Sequence, residues 1–337
     1  MSKRVGSRTV ALPAHPGVLA WASVAGQKEK DGPYGERFDQ IIENELNGEQ
    51  SFEAAERRML ETAVMLCAGK AGCATGDVQM LLAGDLLNQI ISAGFAARNL
   101  EIPFYGLYGA CSTMSESLSL GGMLADGGFA DRLICATCSH FCTAERQYRM
   151  PVPYGSQRPP TAQWTATASG CTILTGEGNG PYITHVTCGK IVDRGVADAN
   201  NMGAAMAPAA YDTLAAFFRD TATKPSDYDL VLTGDLGTLG HDIVREFFMR
   251  DGIDMGEGFQ DCGLLLYDRQ QQDMHAGASG CGCSAAVLNG YLLSRFRDGS
   301  LKRIVFAPTG ALLSPTSSFQ GESIPGICHA VCISCDK

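Results

Sequence analysis

Apolar runs of five to nine residues alternate along this chain with longer amphipathic stretches, a pattern that predicts strands alternating with helices. Phe52–Ala71 places Ala55, Met59, Ala63, Leu66 and Cys67 at helical spacing. Asp77–Asp85 (DVQMLLAGD) predicts a buried strand, and Leu86–Asn99 predicts a second helix. The apolar run Ile102–Leu107 predicts another short strand. Ser112 and Thr113, both helix-capping types, open a further helix, and Asp131–Thr137 predicts the strand after it. Ser2–Asn47 is broken by Pro13, Pro16, Gly26, Gly32, Pro33 and Gly35 and predicts an irregular arm.

The same order recurs. Ala207–Thr221 predicts a helix and Asp227–Asp235 (DYDLVLTGD) a strand. Set against DVQMLLAGD, the second strand matches Asp77 to Asp227, Leu82 to Leu232, Gly84 to Gly234 and Asp85 to Asp235, at an offset of 150. Further on, at an offset of 172, Cys111-Ser112 falls on Cys283-Ser284, Asp126-Gly127 on Asp298-Gly299 and Thr137 on Thr309. One insertion of 22 residues in the second half accounts for the change. Two ordered blocks with the same flanking elements predict an internal duplication, two α/β halves of about 150 residues each. The halves are expected at 1–183, carrying Cys111, and 184–337, with Gly170–Ile191 as the passage between them.

Composition narrows the functional classes. The 337 residues are 45% hydrophobic and only 8% aromatic, enough to bury a large core. A formal net charge of −10 without a long Lys/Arg run argues against nucleic acid as a partner. The N-terminus lacks the apolar core of a secretory signal, and no apolar run approaches 18 residues, so no membrane span is expected. Fourteen cysteines in that context fit free thiols in a reducing compartment. Cys135-x-x-Cys138-x-His140-x-Cys142 and Cys328-x3-Cys332-x-x-Cys335 have ligand types near ligand spacing. Cys135 and Cys332 fall inside predicted strands, whose alternation sends neighbouring side chains to opposite faces, so no metal is expected. No organic cofactor is expected either.

One stretch concentrates the chemistry. In Tyr105–Leu124 (YGLYGACSTMSESLSLGGML), Gly109 permits a sharp turn that puts Cys111 where a strand hands over to a helix. Free backbone N–H groups and the positive helix end favour a thiolate there. The helix is rich in small residues (Ser115, Ser117, Ser119, Gly121, Gly122), and Glu116 is its only charge before Asp126. Such a helix is expected to be enclosed by protein on all sides.

A duplicated α/β chain with a cysteine at the start of a buried helix resembles the thiolase superfamily. GDLLNQ (84–89), GACSTMSESL (109–118), TAERQYR (143–149), MGAAMAPAA (202–210), LTGDLG (232–237), DCGLLLY (261–267), SGCGCSA (279–285) and PTGALLSPT (308–316) narrow the likeness to the stage V sporulation protein AD family. That resemblance implies a thiolase-like fold with mixed sheets and buried central helices. It also implies a homodimer that binds dipicolinic acid, as the free acid or the calcium chelate, and helps move it into the developing spore beside the membrane proteins of the same transport system. The expected location is cytoplasmic, held to the spore inner membrane through those partners.

The superfamily's condensing enzymes need a cysteine nucleophile and two second-half residues, His with His or His with Asn. Cys111 matches the nucleophile. Where the synthase pattern has its histidine this chain has Thr233-Gly234-Asp235, and where it has its asparagine this chain has Gly280-Cys281-Gly282-Cys283. An acidic Asp235 beside a thiol would disfavour the thiolate. HAGASG (275–280) resembles a thiolase turn one residue short, which leaves His275 as an alternative base and acyl transfer through Cys111 as the alternative activity. The resemblance places a ligand pocket at Cys111 and nominates Cys111, Ser112, Asn88, His140, Thr233, Asp235, Ser279 and Cys281 around it. Arg146 and Arg149 are the candidates for a guanidinium fork on a carboxylate. Asp85 is expected to cap the following helix instead.

Overall fold

The computed structural model describes residues 3–148 and 158–337. The first half runs β1 (Gly17–Ala25), α1 (Phe52–Ala71), β2 (Met80–Gly84), α2 (Ile91–Leu100), β3 (Phe104–Gly106), α3 (Thr113–Asp126), β4 (Arg132–Ser139), α4 (Phe141–Tyr148) and β5 (Ala168–Thr175). The second half runs β6 (Tyr182–Thr187), α5 (Met202–Thr221), β7 (Leu230–Thr233), α6 (Gly237–Arg250), β8 (Phe259–Asp261), α7 (Cys281–Ala286), β9 (Arg303–Ala307) and β10 (Ala330–Ser334). Helix α7 continues through a π-helical turn, Val287–Leu292, into Leu293–Arg297.

The duplication expected from the sequence is visible in the sheet order. It is β3-β2-β4-β5-β1 in the first half and β8-β7-β9-β10-β6 in the second. In each half the three outer strands are parallel and the remaining two are antiparallel to their neighbours. Leu82 lies opposite Cys135 in one half, and Leu232 opposite Phe306 in the other. The two sheets meet at β1 and β6 through one register pair, Gly17 with Tyr182.

Alternation along the strands divides the apolar residues into layers. Leu81, Ala83, Ile134 and Ala136 face Met59, Ala63 and Cys67 of α1 and Ala93 and Ala96 of α2. Leu82, Leu133 and Cys135 face the interior, where α3 and α7 lie with Met114, Leu118, Ala285 and Leu288. Val231 and Val305 pack on Leu214 and Phe217 of α5 and Phe248 of α6. Cys135 and Cys138 thus point into different layers, which removes the Cys-rich run around them as a single ligand set. The enclosed helix expected at Thr113 is α3. A Cβ on its Gly121 would lie 2.6 Å from the Cys135 sulfur, and one on Gly122 2.9 Å from Leu12 Cδ1, so glycine allows the close approach.

Element ends follow local chemistry. Ser51 caps α1 by accepting from the Ala54 N–H at 3.2 Å, and Gly72 ends it at φ 65°. Several readings differ from expectation. The stretch Ser2–Asn47, read as an irregular arm, contains the central strand β1, whose Ala20, Ala22 and Val24 are buried, and the passage Gly170–Ile191 contains β6 and most of β5. Helix α5 starts at Met202, not Ala207, and carries Pro208 inside it; Asn201 caps it, and burial of Met206, Ala207 and Ala209 holds the earlier turn in place. Helix α2 starts at Ile91, not Leu86, because Gln89 and Ile90 take left-handed backbone (φ 53° and 48°).

Candidate functional site

Cys111 sits in a 3-10 turn, Ala110–Ser112, that feeds α3. Ala110 has φ 49°, a left-handed conformation that a residue with a Cβ adopts only when its surroundings impose it. Side chains fix the turn: Ser112 Oγ donates to Gly109 O at 2.7 Å and Thr113 Oγ1 to Ala110 O at 2.7 Å. The second half presses on the same place, since a Cβ on Gly310 would lie 2.1 Å from Gly109 O.

The group that faces the thiol is Asp235. Its carboxylate is fully buried and accepts from Gly280 N (3.0 Å), Ser279 Oγ (3.1 Å) and Thr309 Oγ1 (3.2 Å). Burial pushes its carboxyl up to about 7, against the pull of the nearby Cys111 side chain and with the nearby Asp261 carboxylate adding to the rise. Burial likewise pushes the Cys111 thiol well above its ordinary range, and the Asp235 and Cys281 side chains add to this. The thiolate expected from the helix end is therefore not favoured: burial and a facing carboxylate outweigh the helix-end field.

Asp85 and Asp235, equivalent in the repeat, have separate roles. Asp85 accepts from Leu87 N (2.8 Å) and Ala93 N (2.7 Å) and so ties down the start of α2. In the second half that capping falls to Asp261, which accepts from Leu236 N (2.9 Å) and Gly237 N (3.1 Å) at the start of α6. Asp235 is thereby released to face Cys111.

Above the pair is a narrow pocket of ≈ 40 Å³. Cys111, Ser279 and Thr165 supply its polar lining, and Leu86, Tyr108, Ala144, Tyr148, Met202 and Leu313 are among its walls. Tyr108 and Tyr148 share a hydrogen bond of 3.2 Å, and Tyr148 also donates to Leu86 O. Burial raises both phenols, so they are neutral. Among the described residues no Lys, Arg or His lines this space.

Of the residues nominated from the sequence, Cys111 and Ser279 line the pocket, Asp235 lies behind Cys111, and Cys281 packs against it while its thiol donates to Cys138 O at 2.9 Å. Ser112 is spent on its own turn. The others lie elsewhere. Thr233 Oγ1 donates to Asp261 Oδ2 at 2.7 Å, because strand alternation turns it away from the site. His140 is bound to Glu45 on the outer side of α4, Arg146 is paired with Glu53, and Asn88 lies on the surface beside Gln147. His275 is held by Pro159 O (2.8 Å) and Asp273 (3.0 Å), so the alternative base does not face Cys111. Arg149 lies outside the described residues. Tyr108, Tyr148 and Thr165 were not nominated. Tyr108, three residues before Cys111, carried a local signal; Tyr148 and Thr165 did not, since the packing of α4 brings in the first and the pairing of Trp164–Thr165 with Ala278–Ser279 the second.

The fold is that of the thiolase superfamily. Over 95% of this chain and 99% of theirs, it matches the 3-oxoacyl-[acyl-carrier-protein] synthase III of Aquifex aeolicus (TM-score 0.59, 10% identity). Human mitochondrial 3-ketoacyl-CoA thiolase in complex with CoA matches over 96% of this chain and 99% of that one (TM-score 0.58, 12% identity). The stage V sporulation protein AD of Bacillus subtilis is 46% identical over 309 residues, 92% of this chain and 91% of that protein. The family model for stage V sporulation protein AD matches residues 6–334, and with these matches the chain belongs to that family.

Proposed function

We propose that this chain binds dipicolinic acid over Cys111, without turning it over, as a step in moving the acid into the developing spore. The observation that carries the reading is the Asp235–Cys111 pair: the pocket is kept, while the buried thiol faces a buried acidic side chain in place of the expected histidine and is pushed away from the thiolate. Family membership supplies the sporulation setting. The pocket supports a flat ligand with polar ends, through the ring faces of Tyr108 and Tyr148 and the hydroxyls of Thr165 and Ser279. Free dipicolinate carries two negative charges, and Asp235 is part-ionised at neutral pH. A chelated calcium ion cancels the ligand's charge, so the calcium chelate is the favoured form.

Calorimetric titration of dipicolinate into the purified chain, with and without calcium, tests this. Binding strengthened by calcium and weakened in Ser279→Ala is expected. No binding at millimolar ligand refutes it. The other reading, acyl transfer through Cys111, would appear in the same preparations as a Cys111-linked thioester after incubation with acyl-CoA, seen by mass and lost in Cys111→Ala.

The partners in this reading are a second copy of the chain and the membrane proteins of the same transport system. The outer edge of β3, with Tyr105 60% exposed and Ile91 and Phe95 exposed nearby, supports the first. Among the described residues no helix is long and apolar enough to cross a membrane, so contact with the membrane would run through those proteins.

A further inference from the structure

A groove of ≈ 570 Å³ lies on the outer layer of the second half, where α5 and α6 pack together and the segment after β6 meets them. Val192, Pro208, Ile243 and Phe247 give it an apolar lining, with the Phe247 ring edge-on to Tyr211 at 5.4 Å. Two polar features stand beside these. Pro208 lies inside α5 and has no N–H, so the carbonyl of Ala204, four residues back, loses its helical partner. Ala204 and Pro208 both line the groove, which puts that acceptor at its wall. The second feature is Arg194, which is exposed and bonded to nothing among the described residues. The carboxylates around it are engaged. Asp193 accepts from Gly195 N (2.8 Å) and Ser323 Oγ (2.5 Å), and Asp251 accepts from the Tyr211 hydroxyl. Asp212 is paired with Arg8 (2.7 Å) as well as with Lys190 (3.0 Å), so Lys190 can turn to a ligand and leave Asp212 neutralised.

We propose that this groove binds the C-terminal end of a partner polypeptide whose last residue is apolar. The α-carboxylate accepts from the Arg194 guanidinium and from Lys190. A backbone N–H of the terminus donates to Ala204 O, and the apolar side chain enters between Pro208, Ile243 and Phe247. Each part of such a terminus answers one unmet feature of the groove. A single carboxylate suits a groove with one unpaired arginine, whereas a run of acidic side chains would also meet Asp212 and Asp251. The amide N–H suits the orphaned carbonyl. A fatty acid supplies the carboxylate and the apolar chain but has no N–H to give.

The groove and the Cys111 pocket share no lining residue, but they share α5, whose first residue, Met202, is a wall of that pocket. A terminus seated here rests on the helix that borders the pocket, whatever the pocket holds.

The test uses the full chain and an array of peptides with free C-termini and randomised last residues. Binders should end in Leu, Ile, Val or Phe, and the same peptides amidated at the C-terminus should bind at least about tenfold more weakly. Fluorescence polarisation with a labelled binder from the array should show a loss of about tenfold or more in Arg194→Glu. Pro208→Ala, which returns an N–H to Ala204 O, should weaken the peptide about three- to tenfold while leaving the chain at least as stable to urea. Lys302→Glu, at an exposed cation elsewhere, should change nothing. Arg194→Glu, on an exposed side chain, decides the matter if Pro208→Ala does not fold. The proposal is overturned if no peptide binds the wild type better than Arg194→Glu, or if amidated peptides or palmitate bind equally well. A change in oligomeric state in Arg194→Glu without a change in peptide affinity would also overturn it.

Discussion

Asp235→Asn should change how stability depends on pH, because a buried carboxyl raised from 3.8 to about 7 binds its proton more tightly in the folded chain than in the unfolded one. Between those values the folded protein holds a proton that the unfolded chain has released. The stability this provides is complete below the unfolded pKa and is lost as pH rises through the folded one. A shift of that size is worth about 4 kcal/mol in all, of which about 2–3 kcal/mol falls between pH 5 and pH 8. Asparagine keeps the shape and can still accept from Gly280 N and Ser279 Oγ, but it does not titrate. Urea unfolding of both proteins at the two pH values gives the measurement. The wild type should lose about 2–3 kcal/mol relative to the variant on going from pH 5 to pH 8. Glu29 and Glu116, also raised to about 7, and Asp85, raised to about 6, titrate in both proteins and cancel in the comparison. A difference that stays constant across that range would show that Asp235 is not held protonated in the fold and would refute this reasoning.

The same pair predicts thiol chemistry. Iodoacetamide at pH 8 should modify Cys111 slowly in the wild type and at least about tenfold faster in Asp235→Asn, because a unit charge about 4 Å from a sulfur is worth up to about 4 kcal/mol at an effective dielectric of 20; peptide mass mapping reads the rate. Gly310→Ala puts a Cβ against Gly109 O, 2.1 Å away, and should cost about 1–3 kcal/mol in denaturant unfolding while disturbing the Cys111 turn. Asp85→Ala strips the acceptor from Leu87 N and Ala93 N and should cost about 1–3 kcal/mol, with faster amide exchange at Ala93. Tyr267→Phe removes the phenol that donates to Glu29, whose Oε2 already lacks a partner, and should lower stability by about 1–3 kcal/mol.

The sequence by itself determined most of the elements around the site, their duplication and the turn at Cys111, but not the central strands β1, β5 and β6. Helical and strand periodicity are local, and a repeated order of elements can be read without knowing how they pack. The sequence also exposed the missing histidine and asparagine, because Thr233-Gly234-Asp235 and Gly280-Cys281-Gly282-Cys283 stand where those residues are expected. Tertiary structure alone decided what each residue faces. Asp85 and Asp235 occupy equivalent positions, yet Asp261, from a neighbouring strand, takes over the capping of α6 and leaves Asp235 for the thiol. Thr233 is one strand position from facing the site and points to Asp261 instead. His140 lies just past a strand that reaches the site, but α4 begins there and turns its ring to Glu45, 95 positions earlier in the chain. Tyr148 and Thr165 enter the pocket only because α4 and the strand segment Trp164–Thr165, paired with Ala278–Ser279, come together beside the Cys111 turn. Such pairings join residues tens to hundreds of positions apart, and their energies come from burial and hydrogen bonds that exist only once the sheets and central helices have packed.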